Sequence, residues 1–108
     1  MIYSIEEIAA RVAPIAQAYG LRSIYVFGSY ARSEATEHSD IDLLIDTTGT
    51  NLRSLLSLGQ LYCDLEAALN KKIDLITLSS LEQSPALSSE TLFRENVNKE
   101  KVKLYDVA

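Results

Sequence analysis

Three aspartates and a Gly-Ser pair carry the chemistry this sequence can offer. Asp40 and Asp42 stand one residue apart in "DIDLLID", an otherwise apolar run, and Asp74 lies in a second such run, "KIDLIT". Gly28 and Ser29 follow the apolar "IYVF", and ten residues separate Ser29 from Asp40. In a strand, side chains alternate, so Asp40 and Asp42 share a face with α-carbons roughly 7 Å apart. Ile41, Leu43 and Ile45 then point the other way, toward a core, and Leu44 can cover the first face below the acids. Two like charges this close beside an apolar sheet repel each other and resist desolvation. A divalent cation offsets both effects because it pairs with both carboxylates at once. If the strand carrying Asp74 neighbours 40–46, its backbone is about 4.8 Å away and Asp74 can join the cluster. Three carboxylates suit Mg²⁺ or Mn²⁺, whereas one His and one Cys in the chain leave no zinc set.

The Gly-Ser pair supplies a complementary half. Gly28 lets the backbone turn sharply and lets a ligand approach closely. Ser29 then opens a short helix whose free N–H groups favour an anion, although a plain N-cap role fits the same residue. Two magnesium ions about 3.5–4 Å apart would clamp a transferring phosphoryl or nucleotidyl group. The two halves together fit one object, a nucleoside triphosphate with its metals. Arg32, one turn further on, is a candidate phosphate contact or else an ion-pair partner of Glu37 or Asp46. Tyr30 reads as packing and His38 as a turn residue.

The stretch "GSYARSEATEHSDIDLLID" resembles the signature of the minimal nucleotidyltransferases of the DNA polymerase β-like superfamily: Gly-Ser, ten residues, Asp-x-Asp, then a third carboxylate on a later strand. Gly-Ser and Asp-x-Asp at this spacing would arise by chance in about one of 10³ chains of this length, so the match is specific. The resemblance implies a polymerase β-like fold and a metal-dependent transfer of a nucleoside monophosphate, AMP from ATP being the expected case, to a hydroxyl. By that resemblance Gly28, Ser29 and Arg32 bind the nucleotide. Asp40, Asp42 and Asp74 are the catalytic and metal-binding residues. It also implies a partner, a HEPN-domain ribonuclease toxin whose tyrosine is adenylylated, with this chain as antitoxin. Two alternatives stay open: an antitoxin acting by contact alone, and a nucleotidyltransferase acting on a small molecule.

The elements that must position these residues are legible in the spacing. Ile5, Ile8, Ala9, Val12, Ile15, Ala16 and Tyr19 fall at helical intervals over 4–19. Ser4 and Glu7 form a capping box, Gly20 fits the C-terminal glycine, and Pro14 is expected to kink or divide this helix. Residues 23–27 read as a strand, 29–35 as a short helix, 37–39 as a turn, 40–46 as a strand and 47–50 as a loop. A helix is expected over 51–70, with Leu52, Leu55, Leu56, Tyr62, Cys63 and Leu69 on one side and Leu58, Leu61 and Leu65 as a second stripe, the surplus suiting a partner interface. Residues 72–78 read as a strand, 86–97 as a helix and 101–107 as an edge strand. The fold class expected is α+β (α/β), a small mixed sheet with helices mainly on one face.

The 108 residues predict one domain spanning 1–108, and 47% hydrophobic content supports a core. The net charge of −5 argues against a broad nucleic-acid footprint and fits a basic partner. Cys63 is the only cysteine and reads as a small buried hydrophobe in a reducing compartment. No apolar run reaches 18 residues and no leader pattern opens the chain, so the expected location is cytoplasmic, away from membranes.

Overall fold

The computed structural model describes residues 2–50, 52, 54–78 and 101–107. Helix α1 (Ile5–Tyr19) starts at Ser4, whose hydroxyl accepts from the Glu7 N–H while the Glu7 carboxylate accepts from the Ser4 N–H. It ends at Gly20 in the left-handed region, φ 69°. Pro14 sits inside this single helix, so that of the expected kink or division the division does not occur. Its ring lies on the exposed side, where water can satisfy the carbonyl that loses its bond.

Strand β1 (Ser23–Phe27) leads into α2 (Gly28–Ala31), one turn of helix where seven helical residues had been expected. Strand β2 (Ile41–Asp46) follows, then α3 (Leu55–Leu69), β3 (Ile73–Thr77) and β4 (Val102–Asp106). The helix expected from 51 starts at Leu55 instead, because Ser54 caps it by accepting from the Ser57 N–H. The helix expected over 86–97 lies outside the described residues. The sheet order is β3-β2-β1-β4, with β4 at one edge as expected. β1 runs antiparallel to β2 and β4, and β2 runs parallel to β3, the α3 crossover making that direction possible.

One sheet face carries Ile24, Val26, Ile41, Leu43, Ile45 and Ile73, all buried against the helices. The helices answer with Ile8, Val12 and Ala16 from α1 and Leu61, Leu65 and Leu69 from α3. The alternate positions of β1 and β2 face the other way, where Phe27 and Leu44 form a smaller cluster with Tyr25, Ile76 and Leu78. Leu44 is fully buried beneath the acids, as its spacing suggested. Two expectations for α3 fail. Leu56 is 86% exposed, and Cys63, seven residues on, is exposed too rather than buried. The helix carries apolar residues on more than one side, and the buried seam of Leu61, Leu65 and Leu69 meets α1 and the sheet, with Leu58 and Tyr62 partly buried beside it.

Candidate active site

The parallel register sets Asp42 beside Asp74, each on the sheet face away from the helices. Asp40 precedes the first residue of β2, and Ile41 there donates its N–H to the Lys72 carbonyl at 3.1 Å. Asp40 and Asp42 are half-buried and Asp74 is exposed. The Asp42 and Asp74 carboxyls are close enough to share a hydrogen bond. Burial, then that bond and the Asp74 charge, push the Asp42 carboxyl up to about 6; Asp40 adds to the rise and the Arg32 cation opposes it. A carboxyl raised in this way is held against like charge that its own fold does not neutralise.

Gly28 closes the other side. Phe27 pairs with Asp42 across β1 and β2, so the chain turns into α2 right at the acid. Gly28 has φ 71°, and a β-carbon built on it would collide with an Asp42 carboxylate oxygen and stand 3.2 Å from the carboxylate carbon. Glycine is therefore required twice, by backbone conformation and by close approach. Ser29 does not serve as an N-cap: Phe27 occupies that position and no side chain caps the turn. The turn closes through Arg32 N–H to the Gly28 carbonyl at 3.1 Å and Glu34 N–H to the Ser29 carbonyl at 2.8 Å. Arg32 pairs with Glu34 at 3.3 Å, not with Glu37 or Asp46, and its charge still reaches Asp42. Tyr30 is buried in the main core, a packing residue.

Sequence spacing did not point to Tyr62. Its hydroxyl donates to the Ile73 carbonyl at 3.0 Å, which fixes α3 over the start of β3. Burial first, then Glu66, Asp74 and Asp40, push the Tyr62 hydroxyl up, so it lies within the field of the acids. The parallel strand register, which a single chain does not display, is the signal that was missing.

Among the described residues, no three His, Cys, Asp or Glu side chains are already gathered tightly enough to hold an ion. The donor chemistry fits one nonetheless. Asp42 and Asp74 are adjacent oxygen donors under like-charge repulsion, with Asp40 nearby, and hard divalent cations take such ligands. Apposed strand carboxylates beside a glycine-led turn are an arrangement compatible with metal-assisted nucleotidyl transfer.

Residues 10–106 match the family model described as polymerase beta, nucleotidyltransferase, and the chain belongs to that family. Protein adenylyltransferase MntA of Thermococcus cleftensis is 44% identical over 79 residues, 73% of this chain and 75% of that protein. In structure the chain is similar to one in a toxin–antitoxin crystal structure with AMP-PNP, at TM-score 0.68 and 22% identity, over 92% of this chain and 73% of the other. It is also similar to a chain of the complex between tri-AMPylated Shewanella oneidensis HEPN toxin and MNT antitoxin, at TM-score 0.64 and 20% identity, over 95% and 73% of the two chains. At these identities the structural matches speak for the fold: a small mixed four-stranded sheet of the polymerase β-like nucleotidyltransferase type. Among the described residues, no helix is long and apolar enough to cross a membrane.

Proposed function

We propose that this chain is a Mg²⁺-dependent protein adenylyltransferase that moves AMP from ATP to a tyrosine hydroxyl of a HEPN-domain partner, and acts thereby as an antitoxin. One observation carries the reading: Asp42 stands in register with Asp74 on one side and against Gly28 on the other. The named relative supports the choice of AMP and of a protein acceptor. The complex of an AMPylated HEPN toxin with an MNT antitoxin supports the partner class.

Asp40, Asp42 and Asp74 would hold the divalent ions. When bound, these lower the acceptor's pKa and offset charge on the attacked phosphorus. Gly28 and Ser29 receive the terminal phosphates, since the glycine brings no side chain of its own to the turn and the serine follows it. Arg32 adds positive charge on that side. Asp74, the most exposed of the three acids, takes the proton as the acceptor oxygen attacks the α-phosphorus. The new phosphorus–oxygen bond forms as the bond to the bridging oxygen breaks, and pyrophosphate leaves. Acceptor specificity is then a matter of which protein surface docks beside Asp74.

The test is incubation with labelled ATP, Mg²⁺ and a candidate HEPN-domain partner. Wild type should label the partner, and Asp42→Asn should label it at least about 100-fold more slowly. Equal labelling by both removes the acids from the reaction.

A further inference from the structure

Asp40 is the one acid of the three that lies outside a strand. Asp42 belongs to β2 and Asp74 to β3, whereas Asp40 precedes the first residue of β2. Its place is therefore set by what grips the chain on either side of it. On one side the Ile41 N–H donates to the Lys72 carbonyl at 3.1 Å. On the other side the Lys71 ammonium donates to the Glu37 carbonyl at 2.7 Å. The short turn leading to Asp40 is closed on itself. The Ser39 N–H donates to the Thr36 carbonyl at 3.1 Å, and the Ser39 hydroxyl accepts from the Thr36 N–H at 2.9 Å. The His38 N–H adds a bond to the Thr36 hydroxyl at 3.3 Å. A turn closed in this way moves as a unit, so the anchor at Glu37 sets where the unit sits.

Both anchors come from two adjacent residues. Lys71 and Lys72 follow Asn70, the left-handed end of α3, and lead straight into β3 and Asp74. The chain before Asp74 thus holds the chain around Asp40, and the Lys71 bond is of the charge-assisted kind. The tie matters because the acids are not already gathered: among the described residues, no three such side chains stand tightly enough to hold an ion. Drawing Asp40 in beside Asp42 and Asp74 works against like charge, and a loose loop would add conformational entropy to that cost. An anchored loop removes the entropic part before the ion arrives.

We infer that Lys71 is a positioning residue that fixes Asp40 for the divalent ion through its bond to the Glu37 carbonyl. The inference rests on the transfer reading above for the ion-binding role of the acids. In this role Lys71 touches neither nucleotide nor acceptor, so its effect falls on metal affinity.

The test is Mn²⁺ titration followed by electron paramagnetic resonance, with label transfer to a candidate HEPN-domain partner measured against Mg²⁺ concentration in parallel. Lys71→Met keeps the aliphatic stem and removes the donor. It should weaken Mn²⁺ binding about fivefold and raise the half-saturating Mg²⁺ by the same factor. Its kcat at saturating Mg²⁺ and its KM for the partner should stay within about twofold of wild type. Lys71→Arg keeps a cationic donor and should bind Mn²⁺ within about twofold of wild type. Metal-free Lys71→Met should melt within about 2 °C of wild type, since the lost bond is solvent-exposed. Wild-type Mn²⁺ affinity in Lys71→Met overturns the inference, and so does equal weakening by Lys71→Met and Lys71→Arg. Mn²⁺ binding by wild type no tighter than by Asp42→Asn overturns the metal-binding role of the acids and the inference with it. Mn²⁺ binding as expected with no label on the partner overturns the protein-acceptor reading alone.

Discussion

A methyl group at Gly28 would have to share space with the Asp42 carboxylate. Gly28→Ala should therefore lower stability by at least about 1–2 kcal/mol, through left-handed strain alone, and displace the acid as well. Thermal melts and a transfer assay read both effects together. Asp42→Asn should behave in the opposite sense. Burial and Asp74 raise the carboxyl from 3.8 to about 6, so the folded chain holds that proton more tightly than the unfolded one. The stabilising contribution is present below pH 4 and is lost as pH rises through 6. Metal-free protein should thus be less stable at pH 7.5 than at pH 5 from this group. Asp42→Asn should recover about 1 kcal/mol at pH 7.5, the partial exposure of the side chain screening the rest. Transfer should fail in the same variant, and saturating Mg²⁺ should stabilise wild type at pH 7.5 more than the variant. Denaturant melts across pH, with and without Mg²⁺, decide this. At this scale the residue types were readable, because paired acids in an apolar strand demand an explanation. The contact between Gly28 and Asp42 was not, because it depends on how β1 and β2 align.

Helix ends and seams carry the next scale. The C-terminus of α3 is tied to α1 and its lead-in: the Tyr3 hydroxyl donates to the buried Leu69 carbonyl at 2.6 Å, and Arg11, stacked 4.9 Å from the Tyr3 ring, donates to the Ala68 carbonyl at 3.0 Å. The guanidinium also suits the negative end of the helix dipole. Tyr19 adds a hydrogen bond to Asp64, which pushes its own hydroxyl up to about 12. Tyr3→Phe should cost about 1–2 kcal/mol, a fall of several degrees in the thermal midpoint, with transfer retained. The capping box of α1 and the four described strands were legible because each is a local signal. The seam of α3 was not: two apolar stripes compete, and α1 with the sheet chooses Leu61, Leu65 and Leu69, sending Leu56 and Cys63 outward. Whether Pro14 divides α1 was not legible either, since that depends on whether water reaches the helix there.

For the whole molecule, the mixed sheet turns one local motif into a site. β2 and β3 run parallel because α3 crosses between them, and that crossing places Asp74 beside Asp42 and Tyr62 over the start of β3. The α+β class was readable from the alternation of elements, while the strand order β3-β2-β1-β4 needed long-range pairing that periodicity does not encode. The central claim is that the three acids and the Gly28-Ser29 turn grip one metal-bound nucleotide. A crystal structure with Mg²⁺ and a non-hydrolysable ATP analogue tests it most directly. The account predicts ions between Asp40, Asp42 and Asp74, with the terminal phosphates against Gly28 and Ser29. A nucleotide bound elsewhere, or acids turned apart with no ion among them, would contradict it.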